Sequence, residues 1–280
     1  MHILTFDIED WFHTFGKTYY NRPALWGTLP SSLEKNVNLI CEFLDERNLK
    51  ATFFWVGWEG EIHKNLIREI ALQGHEVAAH SFLHRKLEFM GYEEFRHDTE
   101  RVIKILEDVT GEKVKSYRAP GMSVNNNTLW AFEILAALGI EHDSSLQAGC
   151  RLHHNTAVIP PAPCIIHYNG IQIKEFPVVG IPLLGKSFNY SCSGYFRISP
   201  YRWLKKNLSE ADYSLLYFHP RDFDTEIHHR QANLYLKLKY RMGTRGALQK
   251  LAKISDNVEL ISLQEAENRI SWNEVQNIVL

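Results

Sequence analysis

At 280 residues the chain can bury a large core without disulfide or metal staples, which sets aside the small stapled scaffolds. Hydrophobic residues at 45% and charged residues at 23% give an ordinary globular composition, far from disordered, collagen-like or coiled-coil sequences. The formal net charge of −2, with no basic run, offers nothing to draw nucleic acid or an anionic membrane by bulk electrostatics, so a small or neutral polar ligand fits better. No uncharged run approaches the ~18–20 residues of a membrane span, and MHILTFDIED enters an apolar strand without a signal-peptide pattern. The expected location is therefore the cytoplasm. Cys41, Cys150, Cys164 and Cys192 form no C-x-x-C pair and are expected to be buried free thiols. The 14 His and the 15 Phe, 7 Trp and 12 Tyr suit a metal site and a sugar-binding face without proving either.

In chain order, HILTFD (2–7) reads as a short apolar strand. SSLEKNVNLICEFLDERN (31–48) reads as a helix capped by Ser31 or Ser32, with apolar residues recurring at 33, 37, 40 and 44. ATFFWV (51–56) is a second strand, followed by a helix over about 61–73 stopped by Gly74. HEVAA (75–79) is a third strand, and a helix over about 93–110 ends at Gly111. KSYRA (115–119) is a strand, NNTLWAFEILAAL (126–138) a helix closed by Gly139, and IEHD (140–143) a strand. This alternation predicts an α/β fold with βαβ crossovers and a mostly parallel sheet or barrel. From about 144 to 200 Pro and Gly become frequent and no long helical pattern survives, so this stretch reads as a loop-rich elaboration. YSLLYF (213–218) resumes the strand pattern, 228–242 and 244–254 look helical, and VELISL (258–263) is a late strand. With no repeat, linker or low-complexity tract, the expectation is a single domain over 1–280 with a helical C-terminal segment from about 225.

In βα architectures the C-terminal ends of parallel strands converge on one ligand-binding face. Polar residues follow the predicted strands at Asp7, Glu9 and Asp10, at His80, at Arg118, at Asp143 and at His219. One such residue is ordinarily a cap or turn residue, but five strand ends on one rim form a pattern. His80 and His84 in HSFLH are four apart, and a helical conformation there would put both imidazoles on one face. About one such pair is expected by chance in this composition, so a third ligand is needed, and the acids after the first strand supply candidates. Two His and one carboxylate leave an open position for water, the pattern of a hydrolytic zinc site.

These residues carry a resemblance. FDIED (6–10), HSFLH (80–84), RAPG (118–121), HDSS (142–145) and LLYFHP (215–220) resemble, in order, the five motifs of the polysaccharide deacetylase family, carbohydrate esterase family 4 with the NodB-homology fold. GHEVAAHSFLH (74–84) is similar to the second motif throughout. Within the family the chain resembles the exopolysaccharide and O-antigen branch with an extra C-terminal segment, through EFP (175–177), GYFRISPY (194–201) and FHPRDFD (218–224). The resemblance implies a distorted (β/α) barrel of roughly seven parallel strands and a divalent metal, zinc first, held by an acid with His80 and His84. It implies removal of an N-acetyl group from an amino sugar that is nucleotide-linked, lipid-linked or part of an oligosaccharide. Asp7 is then the base that takes a proton from the attacking water, with Arg118 orienting it. His219 is the acid that protonates the departing amine, and Asp143 could hold or polarise it.

The family has two adjacent Asp in its first motif, whereas this chain reads Asp7-Ile8-Glu9-Asp10. Period-2 geometry puts Glu9 on the face of Asp7; a short carboxylate just past the strand end favours Asp10 as the metal ligand, with Glu9 as the alternative. Two other functions fit the same framework: a metal-independent amide hydrolase of the allantoinase-like kind, or an inactive glycan-binding protein. Retention of both histidines argues against the first, and the joint presence of Asp7, Arg118 and His219 against the second. Trp11, Phe12 and His13, and Trp55 with Trp58, could wall a sugar site or simply pack. Tyr195, Phe196 and Arg197 could border the acceptor pocket, and the paired histidines 153–154 and 228–229 read as solvated surface.

Overall fold

A computed structural model of the chain describes residues 1–14, 22–152, 156–183, 186–189, 191–226 and 240–280. The first strand, β1 (His2–Ile8), is buried along its whole length. Alternate residues serve two layers: Leu4, Phe6 and Ile8 join the large core under the helices, while Ile3 packs with Phe54, Ala78, Phe176 and Leu215 in a second, smaller cluster. Asp7 is on the Ile3 side by the same alternation, and so points along the inner face of the sheet.

The helix predicted over 31–48 is α1 (Leu33–Glu46), with Leu33, Val37, Ile40 and Leu44 buried as its periodicity requires. After β2 (Thr52–Trp55), the single helix predicted over 61–73 is two, α2 (Gly57–Ile62) and α3 (Lys64–Leu72), because His63 between them has non-helical backbone angles. The early start at Gly57 has a steric cause. A Cβ there would lie 2.6 Å from the Phe82 ring, so only glycine lets the helix approach the HSFLH loop. β3 (Glu76–Ala79) leads into that loop, and α4 (Tyr92–Thr110) ends at Gly111 in the left-handed conformation (φ 73°). β4 (Ser116–Tyr117), α5 (Ala131–Ala137) and β5 (His142–Asp143) follow, the helix several residues shorter than its pattern suggested.

The stretch read as a loop-rich elaboration holds more regular structure than its Pro and Gly content implied. β6 (Cys164–Tyr168) and β7 (Ile171–Glu175) form an antiparallel hairpin whose turn residues Asn169 and Gly170 both have positive φ, the Asn-Gly signature of a two-residue turn. Two short ribbons pair 151–152 with 157–158 and 181–183 with 186–188. α6 (Ser193–Ile198) and α7 (Tyr201–Glu210) precede β8 (Ser214–Phe218). The helix expected over 228–242 lies, up to residue 239, outside the described residues. α8 (Thr244–Ser255) matches its prediction, the late strand shrinks to β9 (Leu260–Ile261), and α9 (Leu263–Arg269) and β10 (Gln276–Val279) complete the chain.

The sheet has ten strands in the order β8-β1-β2-β3-β4-β5-β7-β6-β10, with β9 pairing the start of β1. Seven run parallel in succession from β8 to β7, and the β7–β6 pair is antiparallel. This is the expected α/β architecture with a mostly parallel sheet, a distorted barrel in which helices cover the outer face. All five strand ends singled out above belong to this parallel run.

Leu106 and Leu72 test the packing directly, since the first is fully buried on α4 and the second is 81% exposed on α3. Leu106→Ala lowers the unfolding free energy by about 2–5 kcal/mol, whereas Leu72→Ala changes it by less than about 0.5 kcal/mol. Urea denaturation of the two variants checks this, and equal losses would contradict the assigned helix faces.

Candidate active site

The HSFLH segment is not helical, so its two imidazoles do not meet through i, i+4 spacing. His80 directly follows β3, and the chain then turns through positive φ at Ser81 (62°) and His84 (53°), which brings the two rings to a centroid distance of 5.0 Å. The loop is tightly held. Gly57 and Trp58 at the start of α2 donate to the carbonyls of Ser81 and Phe82, the Asp98 carboxylate accepts from the Phe82 amide at 2.7 Å, and the Arg101 guanidinium lies 3.6 Å above the Phe82 ring.

Both histidines are fixed in tautomer by backbone carbonyls, which only accept. His80 Nδ1 donates to the Arg118 carbonyl at 2.7 Å and His84 Nδ1 to the His13 carbonyl at 3.2 Å. Each Nε2 lone pair is thereby left facing the interior, the usual support of a metal-binding imidazole. Glu9, His80 and His84 present donor atoms that all lie within 4.8 Å of one another, and all three residues are buried. Burial drives the His80 pKa down to about 4 and keeps the ring neutral, as ligation requires. Both Glu9 oxygens are buried without a hydrogen bond and face His84, His219 Nε2 (3.3 Å) and Arg221 (2.7 Å). Burial alone would raise the Glu9 pKa, but the His84, Arg221 and His219 charges hold it well below the ordinary carboxylate range. An ionised, buried acid beside two imidazoles whose Nε2 atoms turn inward fits a divalent cation.

Asp10, the favoured ligand, is not in this group. Its Oδ1 accepts from the Trp11 amide at 2.6 Å and caps the short turn Trp11–His13, and the Asp10 amide donates to Nδ1 of His13, the last residue of that turn, at 2.9 Å. Burial pushes its carboxyl up to about 7, as suits a cap shielded from the cavity. The strand alternation continues one residue past β1 and delivers Glu9 instead.

Asp7 and Arg118 meet as expected: Arg118 donates to Asp7 Oδ1 at 2.5 Å. The same guanidinium bonds Thr5 Oγ1 (2.9 Å), the Ser144 carbonyl (3.2 Å) and Ser144 Oγ (3.0 Å), and stacks 4.1 Å over Phe54. Asp7 Oδ2 lies 4.0 Å from His80 Nε2, facing the metal-like group. His219 also reaches the site, but not on the arm of Asp143. Asp143 is fully buried, accepts from the Ser145 amide and hydroxyl, and shares a hydrogen bond with Glu175, whose carboxyl burial and the Asp143 charge raise well above the ordinary range. The carboxylate against His219 is Asp222, whose Oδ2 lies 3.1 Å from His219 Nδ1 and accepts from the His219 amide at 2.8 Å.

Asp7, Glu9, His80, His84 and His219 line one cavity of about 710 Å³, with Lys86, Phe89, Met122, Gln147, Tyr217 and Arg221 among its other walls. Sequence reasoning missed these six. Tyr217 and Arg221 carried a readable signal, two residues to either side of His219 in LLYFHPRD, while Phe89 sits on an isolated turn with no pattern. Of the aromatics that could wall a sugar site or simply pack, His13 lines the cavity and the others pack. Trp55 is fully buried, Trp11 and Phe12 cluster with Trp26, and Trp58 packs edge-on to Phe12. Phe196 is core, Arg197 contacts Asp222 at 3.1 Å, and Tyr195 is half exposed outside the cavity wall. His153, His154, His228 and His229 lie outside the described residues.

Comparison with known proteins agrees with this arrangement. Residues 3–141 match the polysaccharide deacetylase family, and residues 144–267 match a domain of unknown function, DUF3473. A peptidoglycan-N-acetylglucosamine deacetylase of Bacillus cereus is 33% identical over 95 residues, which cover 34% of this chain and 34% of that protein, so the chain spans about a third of that relative's length. Among solved structures, a candidate polysaccharide deacetylase from Mycobacterium smegmatis superposes with a TM-score of 0.69 at 20% identity, covering 100% of this chain and 92% of its own. A carbohydrate esterase family 4 pseudoenzyme from Bacillus anthracis gives 0.53 at 12% identity, covering 99% and 66%. The chain belongs to the polysaccharide deacetylase family, with a carbohydrate esterase family 4 (NodB-homology) domain followed by a C-terminal DUF3473 domain.

Proposed function

We propose that this protein removes the N-acetyl group from an amino sugar in a bacterial polysaccharide or its precursor, using a divalent cation held by Glu9, His80 and His84. The observation that carries the reading is the convergence, on one cavity, of that donor group with Asp7 and His219, each braced by its own partner. The similarity to the Bacillus cereus deacetylase supports the reaction class, and fold likeness alone does not, since a pseudoenzyme shares the fold. A metal-independent amide hydrolase has no need of two imidazoles with their Nε2 atoms turned inward beside an ionised acid.

A bound divalent ion, zinc being the expected one, would polarise the acetyl carbonyl and supply an acidic water. The chain's own groups do the rest. Asp7 offers Oδ2 to the proton of the attacking water while Arg118 pins Oδ1. The Arg118 guanidinium makes four contacts, so the base cannot swing away from the reacting carbonyl. His219 Nε2 faces the same space and can hand a proton to the leaving nitrogen. The volume suits more than one pyranose, with Phe89 at 59% exposure offering an aromatic surface.

Protein purified without chelator is expected to carry about one divalent ion per chain, as a three-ligand site would. Elemental analysis should find it lost in Glu9→Gln and His80→Ala, and retained in Asp10→Ala, which sacrifices only a turn cap worth about 1 kcal/mol. Loss of metal in Asp10→Ala but not in Glu9→Gln would reverse the ligand assignment. Asp7→Asn should lower the turnover of N-acetylated oligosaccharides about 10²–10⁴-fold with substrate binding retained, read as acetate release. Normal turnover in that variant would remove Asp7 from the role of base.

A further inference from the structure

The first matched segment supplies Asp7, Glu9, His80, His84 and Arg118, whereas His219 comes from the segment matched to a domain of unknown function. That segment surrounds its histidine with its own support. Asp222 is buried, and it receives Ser193 Oγ on Oδ1 at 2.9 Å and the Arg197 guanidinium at 3.1 Å on the same oxygen. Its other oxygen faces His219 Nδ1 and takes the His219 amide. Ser193 Oγ also lies 3.2 Å from His219 Nδ1.

Arg197 is locked in turn. It donates to the Tyr240 carbonyl at 2.7 Å, and its own backbone runs so close to Gly243 that a Cβ there would fall 2.5 Å from the Arg197 carbonyl oxygen. Ser193 and Arg197 thus converge on one oxygen of a buried carboxylate whose other oxygen meets a single imidazole.

We propose that Asp222, braced by Ser193 and Arg197, is the positioning residue that aims His219 Nε2 at the leaving nitrogen, and that the DUF3473 segment thereby contributes the proton-delivering half of the site. The inference rests on the deacetylase reading above. As the tetrahedral adduct collapses, the C–N bond breaks, its electron pair passes to nitrogen, and nitrogen takes the Nε2 proton of the His219 imidazolium. The imidazole is left neutral, its Nδ1 proton stays on the hydrogen bond to Asp222, and Asp222 is a carboxylate before and after.

The test compares an amide with an ester whose leaving group needs no proton. In full-length protein loaded with metal, kcat for an N-acetyl chitooligosaccharide is divided by kcat for 4-nitrophenyl acetate. Asp222→Asn should lower this ratio at least about tenfold, because only the amide depends on acid assistance, and Ser193→Ala should lower it less. Asp143→Asn should leave the ratio as in the wild type. A loss of folding or of metal would depress both rates together and leave the ratio alone, so an unchanged ratio in folded Asp222→Asn overturns the proposal. A second readout is independent of turnover: in metal-free protein the His219 Nδ1 proton should give a downfield NMR resonance that moves upfield in Asp222→Asn and stays in place in Asp143→Asn. If the wild type cleaves neither substrate, the deacetylase reading fails while this resonance still decides whether Asp222 holds His219; a resonance indifferent to Asp222→Asn overturns the positioning role.

Discussion

The site depends on a buried ion pair. Arg118 has no exposed surface and Asp7 almost none, and taking such charges out of water costs several kcal/mol per ion unless every valence is met. Here they are met by residues from strand ends far apart in sequence: Thr5 and Asp7 on β1, and Ser144 just past β5, all bonded to one guanidinium from the end of β4. The pair spans the inner face of the sheet from the first strand to the fifth. Removing either partner would leave an uncompensated charge, worth about 3–5 kcal/mol in comparable cases. The contact that fixes Asp7 beside the metal-like group is therefore also a contact the fold needs, and its geometry has little freedom to relax.

Much of this was legible because β1 and β3 obey simple periodicity. Every second residue of β1 faces inward, so Ile3, Asp7 and Glu9 share a side, and Glu9 follows from counting by two. Asp10 stands outside the buried group because alternation carries Glu9 into it, and the short turn Trp11–His13 claims Asp10 as its cap. His80 and His84 were found for a reason that does not hold. The loop between them is a non-helical turn with two residues at positive φ, imposed by α2 and Asp98 from outside the motif. Asp222 was invisible for the opposite reason. It is local to His219, three residues on, but acids in turns are common and nothing in sequence separates a cap from a partner. The hairpin over 164–175 was available in the Tyr-Asn-Gly-Ile turn, obscured by the Pro-rich text around it.

Glu9 is the point where the electrostatics concentrate. One buried carboxylate meets the imidazoles of His84 and His219 and the Arg221 guanidinium. Arg221 ties up part of its charge, so the attraction Glu9 offers a divalent ion is weaker than that of an unpaired acid. In exchange, the cavity keeps a fixed cation among its walls.

Arg221 and Asp222 are neighbours on the four-residue turn Pro220–Phe223, and they leave it in different directions: Arg221 reaches Glu9, and Asp222 turns back under His219. One short turn thus carries a charge into the metal-like group and a carboxylate beneath His219. A pseudoenzyme with the same fold shows that this scaffold survives without its chemistry. What distinguishes a working site is then the small set of side chains that the two segments hold in register. In this chain that register depends on β1 and β8, parallel neighbours whose C-terminal ends carry Asp7 and lead into His219 and so bring the two halves to one rim.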